Sequence, residues 1–130
     1  MKEHEIHNYC INRENTIDVN GNVRIEYKGL KEIPVQFGSI NGNFWCHNNL
    51  LTSLKGCPRY VRDIFHCGSN QLTSLEYCPK VIEGNFECSF NHLNTLYPYI
   101  TDIRYRELFP NGNCDNVNRE ARQLRKFIKL

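Results

Sequence analysis

Two adjacent pairs, Cys46-His47 and His66-Cys67, carry the residue types that hold zinc or form a nucleophile-base couple. Structural zinc takes four ligands in tetrahedral reach, commonly through C-x-x-C spacing, and that spacing does not occur here. The alternation Phe44-Trp45-Cys46 also sends Cys46 towards the apolar side, while His47, one position along, faces out. Neither a metal nor another cofactor is therefore expected, and Cys46, Cys57, Cys67, Cys78 and Cys88 read as small buried hydrophobes. Covalent catalysis needs an exposed thiolate of low pKa beside a base. Cys10 and Cys114 are the remaining candidates, and with 130 residues leaving little room for a separate catalytic domain, no enzyme activity is expected.

The elements that must position these side chains come from an internal repeat. A shift of 21 residues aligns Phe44, Phe65 and Phe86, then Cys46, Cys67 and Cys88, then Asn49, Asn70 and Asn91. The same shift aligns Leu51, Leu72 and Leu93, and Leu54, Leu75 and Leu96. An earlier, degenerate copy keeps the phase through Gly21-Asn22, Val23, Ile25, Leu30 and Ile33, which makes four units. Each unit alternates apolar and polar residues over a short strand, then returns through leucines and a Pro (Pro58, Pro79) that interrupts helix. One turn cannot bury its own apolar set and must stack on the next.

The unit, apolar-x-apolar-x-x-Asn-x-Leu-x-x-Leu, resembles the leucine-rich repeat family in its short bacterial and phage-encoded form. The resemblance covers about residues 21–103. It implies a repeat solenoid, a small arc with a short-stranded parallel β-sheet on its concave face. Ile40, Val61 and Ile82 stand nine residues before the Asn where the family has eight, so the residues leading into each strand are less defined than its centre. Bacterial effectors with such repeats attach a Cys-dependent ubiquitin ligase domain, which the few residues after Cys114 do not supply.

Both ends need caps. Residues 1–20 form the first, with Ile17-Asp18-Val19 and Val23 to Ile25 read either as a hairpin about Asn20-Gly21 or, since Asn-Gly also fits the repeat phase, as a further turn; both readings cap the start. Repeats occupy 21–105, with Ile103 to Arg106 as a last strand. Residues 106–130 form a helical cap, Val117, Ala121, Leu124 and Ile128 lying on one stripe and Phe109 plugging beneath. The whole is one structural domain.

Composition agrees. Seventeen Asn against a single Ala exclude a helical bundle. An odd seven cysteines and an N-terminus lacking an apolar stretch predict free thiols and a cytoplasmic protein, inside the host cell if phage-encoded. The net charge of +2 divides into about −2 over residues 1–118 and +4 over the last twelve.

Two surfaces remain as functional candidates. Outward strand positions place Arg24, Trp45, His66 and Glu87 in one row, Glu26, His47, Gly68 and Ser89 in a second, and Tyr27, Asn48, Ser69 and Phe90 in a third. Aromatic and Arg side chains among polar ones are the composition of protein-binding hot spots, so Arg24, Glu26, Tyr27, Trp45, His47, His66, Glu87 and Phe90 are the predicted contacts. The expected function is a non-enzymatic protein-protein interaction module. Size and composition suggest a phage or mobile-element protein that binds, and by binding inhibits, a host protein. The second surface is Arg119, Arg122, Arg125, Lys126 and Lys129, which would meet nucleic acid or an anionic surface. A third alternative is a structural subunit that self-associates; the expected state is a monomer or weak homo-oligomer. No membrane partner is expected.

Overall fold

A computed structural model describes residues 8–128. Lys129 and the side chain of Ile128 lie outside what it describes. The chain winds into a β-solenoid of stacked turns closed by one helix, and each turn crosses two sheets whose strands run parallel except for β1. The first sheet contains β1 (Tyr9–Ile11), β2 (Ile17–Val19), β4 (Phe37–Ile40), β6 (Tyr60–Val61) and β8 (Val81–Ile82) in that order. The second contains β3 (Val23–Arg24), β5 (Phe44–Trp45), β7 (Phe65–His66), β9 (Phe86–Glu87) and β10 (Leu108–Phe109), again in stacking order.

The 21-residue period is the register itself, pairing Phe44 with Phe65 and Phe65 with Phe86. Phe37, Phe44, Phe65, Phe86 and Tyr105 form an aromatic column with successive ring centroids 5.0, 5.9, 5.7 and 6.2 Å apart. The two leucine columns and the five repeat cysteines are buried around it. Burial pushes the Cys57, Cys67 and Cys78 thiols well up, and that of Cys88 to about 12, so they pack as neutral apolar groups.

Polar ladders tie the turns together at their corners. Each buried Asn reaches into the preceding turn: Asn70 Oδ1 accepts from Leu51 N–H at 3.0 Å, and its Nδ2 donates to the carbonyls of Cys46 and Cys67, both at 3.1 Å. Asn49 and Asn91 repeat the pattern. A second, exposed ladder runs from Asn22 Oδ1 to Asn43 N–H and from Asn43 Oδ1 to Ile64 N–H, both 2.8 Å.

The structure corrects four expectations. Of the two readings of residues 17–25 the hairpin fails and the repeat phase holds: Asn20 to Asn22 is the corner between sheets, as Asn41 to Asn43 is one turn later, and the antiparallel partner of β2 is β1. Ile40, Val61 and Ile82 do not lead into the Phe-containing strands but form a sheet of their own, which accounts for their longer distance from the Asn. Ile103 to Arg106 makes only a bridge, between Arg104 and Val81; the last strand is β10, where Leu108 is buried and Phe109 lies beside Glu87. Finally, stacking runs past residue 105 into a fifth turn. Phe86 pairs with Leu108, a spacing of 22, and that one-residue slip hides Asn113, whose Oδ1 accepts from Leu93 N–H and whose Nδ2 donates to the Cys88 carbonyl.

The helical cap is α1 (Asp115–Ile128), with Val117 and Ala121 buried, Leu124 packed on the core, an acid in its first turn and Arg125 and Lys126 in its last. Glu120 fastens it to the fourth turn, accepting from Leu96 N–H and Thr95 Oγ1, both at 2.7 Å. No helix among the described residues is long and apolar enough to cross a membrane.

Candidate functional site

Because successive strands lie about 4.8 Å apart, the outward positions of the second sheet form three continuous rows. The first is Arg24, Trp45, His66, Glu87 and then Phe109. Phe109 was not legible as a member, since the expected spacing puts Leu108 there. Arg24 is held in place twice: its guanidinium bonds Glu26 Oε2 at 3.1 Å and lies 4.9 Å from the Trp45 ring centroid. Its side chain is thus fixed by one neighbour in each of the first two rows and stays largely exposed.

Gly68 creates the centre of the surface. In the second row it leaves a gap between His47 and Ser89, and the His66 ring folds into it, Nδ1 accepting from Gly68 N–H at 3.1 Å. A Cβ at 68 would stand 2.7 Å from His66 Cε1, so another residue would displace the ring. Folded over, His66 stacks on His47 with centroids 4.0 Å apart and planes 15° from parallel. Tyr27 meets His47 edge-on at 5.6 Å. Burial, with lesser repulsion from His66, lowers the pKa of His47; burial also lowers that of His66. Both rings are thus neutral near pH 7, and the Gly68 bond places the remaining His66 proton on Nε2. His47 Nδ1 is buried without a hydrogen-bond partner among the described residues.

The third row lines the corner that follows each strand. Tyr27, Asn48, Ser69, Phe90 and Gly112 all have positive φ, from 53° to 82°. Asn and Gly suit this left-handed backbone; bulky Tyr and Phe do not. Yet Tyr27 is 70% exposed and Phe90 63%. The Phe90 ring lies over Gly112, where a Cβ would come within 2.3 Å of its Cδ1.

The structure thus brings Arg24, Glu26, Tyr27, Trp45, His47 and His66 together, with Glu87 next in line and Phe90 at the far end of the third row. It does not gather the basic candidates into one patch. Arg125 Nη2 donates to the Leu108 carbonyl at 3.3 Å and Arg119 to Asn116 Oδ1, which leaves Arg122 and Lys126 exposed without a partner among the described residues. The cysteine-histidine pairs separate, since Cys46 and Cys67 are buried in the core while the histidines stack outside. Cys10 is exposed on β1, and Cys114 is exposed with Sγ 3.4 Å from the Asn94 carbonyl. A cleft of about 340 Å³ opens between the last turn and α1, lined by Tyr105, Leu108, Ala121, Leu124 and Arg125 among others.

No protein-family model, no curated protein and no solved structure matches this chain, so the likeness to leucine-rich repeats rests on the residue spacing alone.

Proposed function

We propose that the chain is a non-catalytic protein-binding module of the leucine-rich-repeat kind, which seats a partner on the outward face of its second sheet. The observation that carries the reading is Tyr27 and Phe90. Left-handed backbone costs an L-residue about 1–2 kcal/mol, and two of the equivalent corners use Asn48 and Gly112, which bear it more easily, while the third uses the small Ser69. Each ring has one neighbour in the fold, His47 for Tyr27 and Gly112 for Phe90, and keeps most of its surface in solvent. Their use is external: exposed aromatic anchors, Tyr27 beside the His47–His66 stack and Phe90 at the far end of the same face, are what interface hot spots are made of. Five turns would offer roughly 600–800 Å² to a partner, enough for a specific complex with good anchors.

The setting that size and composition suggest is a phage or mobile-element protein that occupies, and so inhibits, a host protein in the cytoplasm. Binding of nucleic acid through α1 is the weaker reading, because Arg125 is engaged in holding the helix to β10.

Affinity capture from host extract tests the proposal, comparing wild type with a Tyr27→Asn/Trp45→Ala/Phe90→Asn variant of unchanged circular dichroism. Loss of a partner that wild type retains is the expected result. Equal retention of every captured protein by both would refute it.

A further inference from the structure

The two sheets begin differently. In the first, β2 is shielded by β1; in the second, β3 is the outermost strand. The direction of its free groups follows from the parallel ladder. Val23 and Ile25 donate to the carbonyls of Asn43 and Trp45, each at 2.9 Å, and Tyr27 donates to that of His47 at 3.3 Å. Residues 23, 25 and 27 therefore turn their backbone groups towards β5, and residues 24 and 26 turn theirs away. Among the described residues, the N–H and C=O groups of Arg24 and Glu26 have no partner. One turn later the carbonyls of Trp45 and His47 accept from Ile25 and Tyr27, so the carbonyls at 24 and 26 are those of a strand awaiting a neighbour.

We infer that β3 pairs antiparallel with β3 of a second copy, about a two-fold axis at Ile25. Antiparallel pairing alternates hydrogen-bonded and non-bonded residue pairs, and the free groups fit that alternation: Arg24 faces Glu26 of the second copy, Glu26 faces its Arg24, and the two Ile25 residues meet between them. Four backbone hydrogen bonds form. The sequence Arg-Ile-Glu is self-complementary in this arrangement and in no parallel one: the Arg24–Glu26 pair within each chain, 3.1 Å apart, meets the same pair of the second copy reversed, and the four charges alternate in sign across the axis. Ile25 is already buried in the core of each copy, so the contact is made by backbone and by the charged side chains, and the outward rows of both copies become one surface with the Trp45 residues flanking its middle. An isologous contact of this kind closes at two copies and leaves no further edge of the same type.

The contact is small, so the dimer is weak, with a dissociation constant on the order of 100 µM. Sedimentation velocity of the full chain from about 10 µM to about 1 mM, with no other protein present, reads it independently of any partner of the outward face. Arg24→Glu and Glu26→Arg should each weaken association at least about tenfold, by placing like charges opposite each other twice. The double variant, Arg24→Glu with Glu26→Arg, should restore it. In wild type, exchange of the 24 and 26 amide protons should slow as concentration rises while that of the amides of exposed α1 residues does not change; this measurement needs no variant to fold. A monomer throughout the range, a dimer indifferent to both charge reversals, a folded double variant that stays monomeric, or concentration-independent exchange at 24 and 26 would each overturn the inference.

Discussion

Replacing Asn70 by Ala removes one rung of the buried ladder, and the contacts define how much that should cost. Asn70 is 5% exposed, so water does not substitute for the amide. Its Oδ1 is the acceptor for Leu51 N–H, which would be left buried and unpaired at about 1–3 kcal/mol. The carbonyls fare better, because each is held by two consecutive Asn residues: Cys46 O also accepts from Asn49 and Cys67 O from Asn91. Losing one of two donors costs less than orphaning the group, and the total should be about 2–4 kcal/mol. That sharing predicts coupling. With Asn49→Ala and Asn70→Ala combined, Cys46 O loses both donors, and the pair should be at least about 1 kcal/mol worse than the sum of the singles. Asn70 and Asn113 share no acceptor, so their effects should add. Urea unfolding followed by Trp45 fluorescence and far-ultraviolet circular dichroism measures all of these. A single-variant cost below about 1 kcal/mol, or additivity in the 49/70 pair, would refute the ladder argument.

Three further outcomes are expected. Tyr27→Asn should raise stability by about 0.5–1 kcal/mol in denaturant titration, since Asn tolerates the left-handed corner, while partner capture falls. The His47–His66 stack should weaken on acidification: both pKa values are lowered in the fold, so the stability that the neutral rings contribute is full above the unfolded histidine pKa of about 6.5 and is lost as pH falls through the folded values. Thermal unfolding between neutral and mildly acidic pH should show this, and a His47→Gln/His66→Gln variant should flatten it. Glu120→Ala should release α1 from the fourth turn by about 1–3 kcal/mol, because Leu96 N–H and Thr95 Oγ1 lose their acceptors; helical circular dichroism should then melt before the β-sheet signal.

The rows of the candidate site were largely legible, for a simple reason. When every turn repeats the one before it, a shift of 21 residues converts sequence distance into spatial neighbourhood, and Arg24, Trp45, His66 and Glu87 fall into line without coordinates. The method failed where the period slipped. Phe109, Gly112 and Asn113 belong to the same three columns as Glu87, Phe90 and Asn91, but the extra residue before β10 moves them out of phase.

By itself, the sequence determined what repetition and side-chain chemistry determine: stacked turns, leucines, phenylalanines and cysteines inside, a buried Asn at each corner, and a capping helix. Tertiary structure decided what depends on where the backbone bends between those marks. Two sheets arise because a short corner turns the chain sharply between them, Asn20-Gly21 and Asn41-Gly42 in the first turns and Arg62-Asp63 and Glu83-Gly84 in the next, and no hydrophobic pattern distinguishes a corner from a hairpin. The His47–His66 stack exists because Gly68 leaves a space that a folded-over ring fills, a contact between turns that residue type alone does not reveal. The strain at Tyr27 and Phe90 likewise follows from their backbone torsions, which turned two ordinary exposed aromatics into the main pointers to a binding surface.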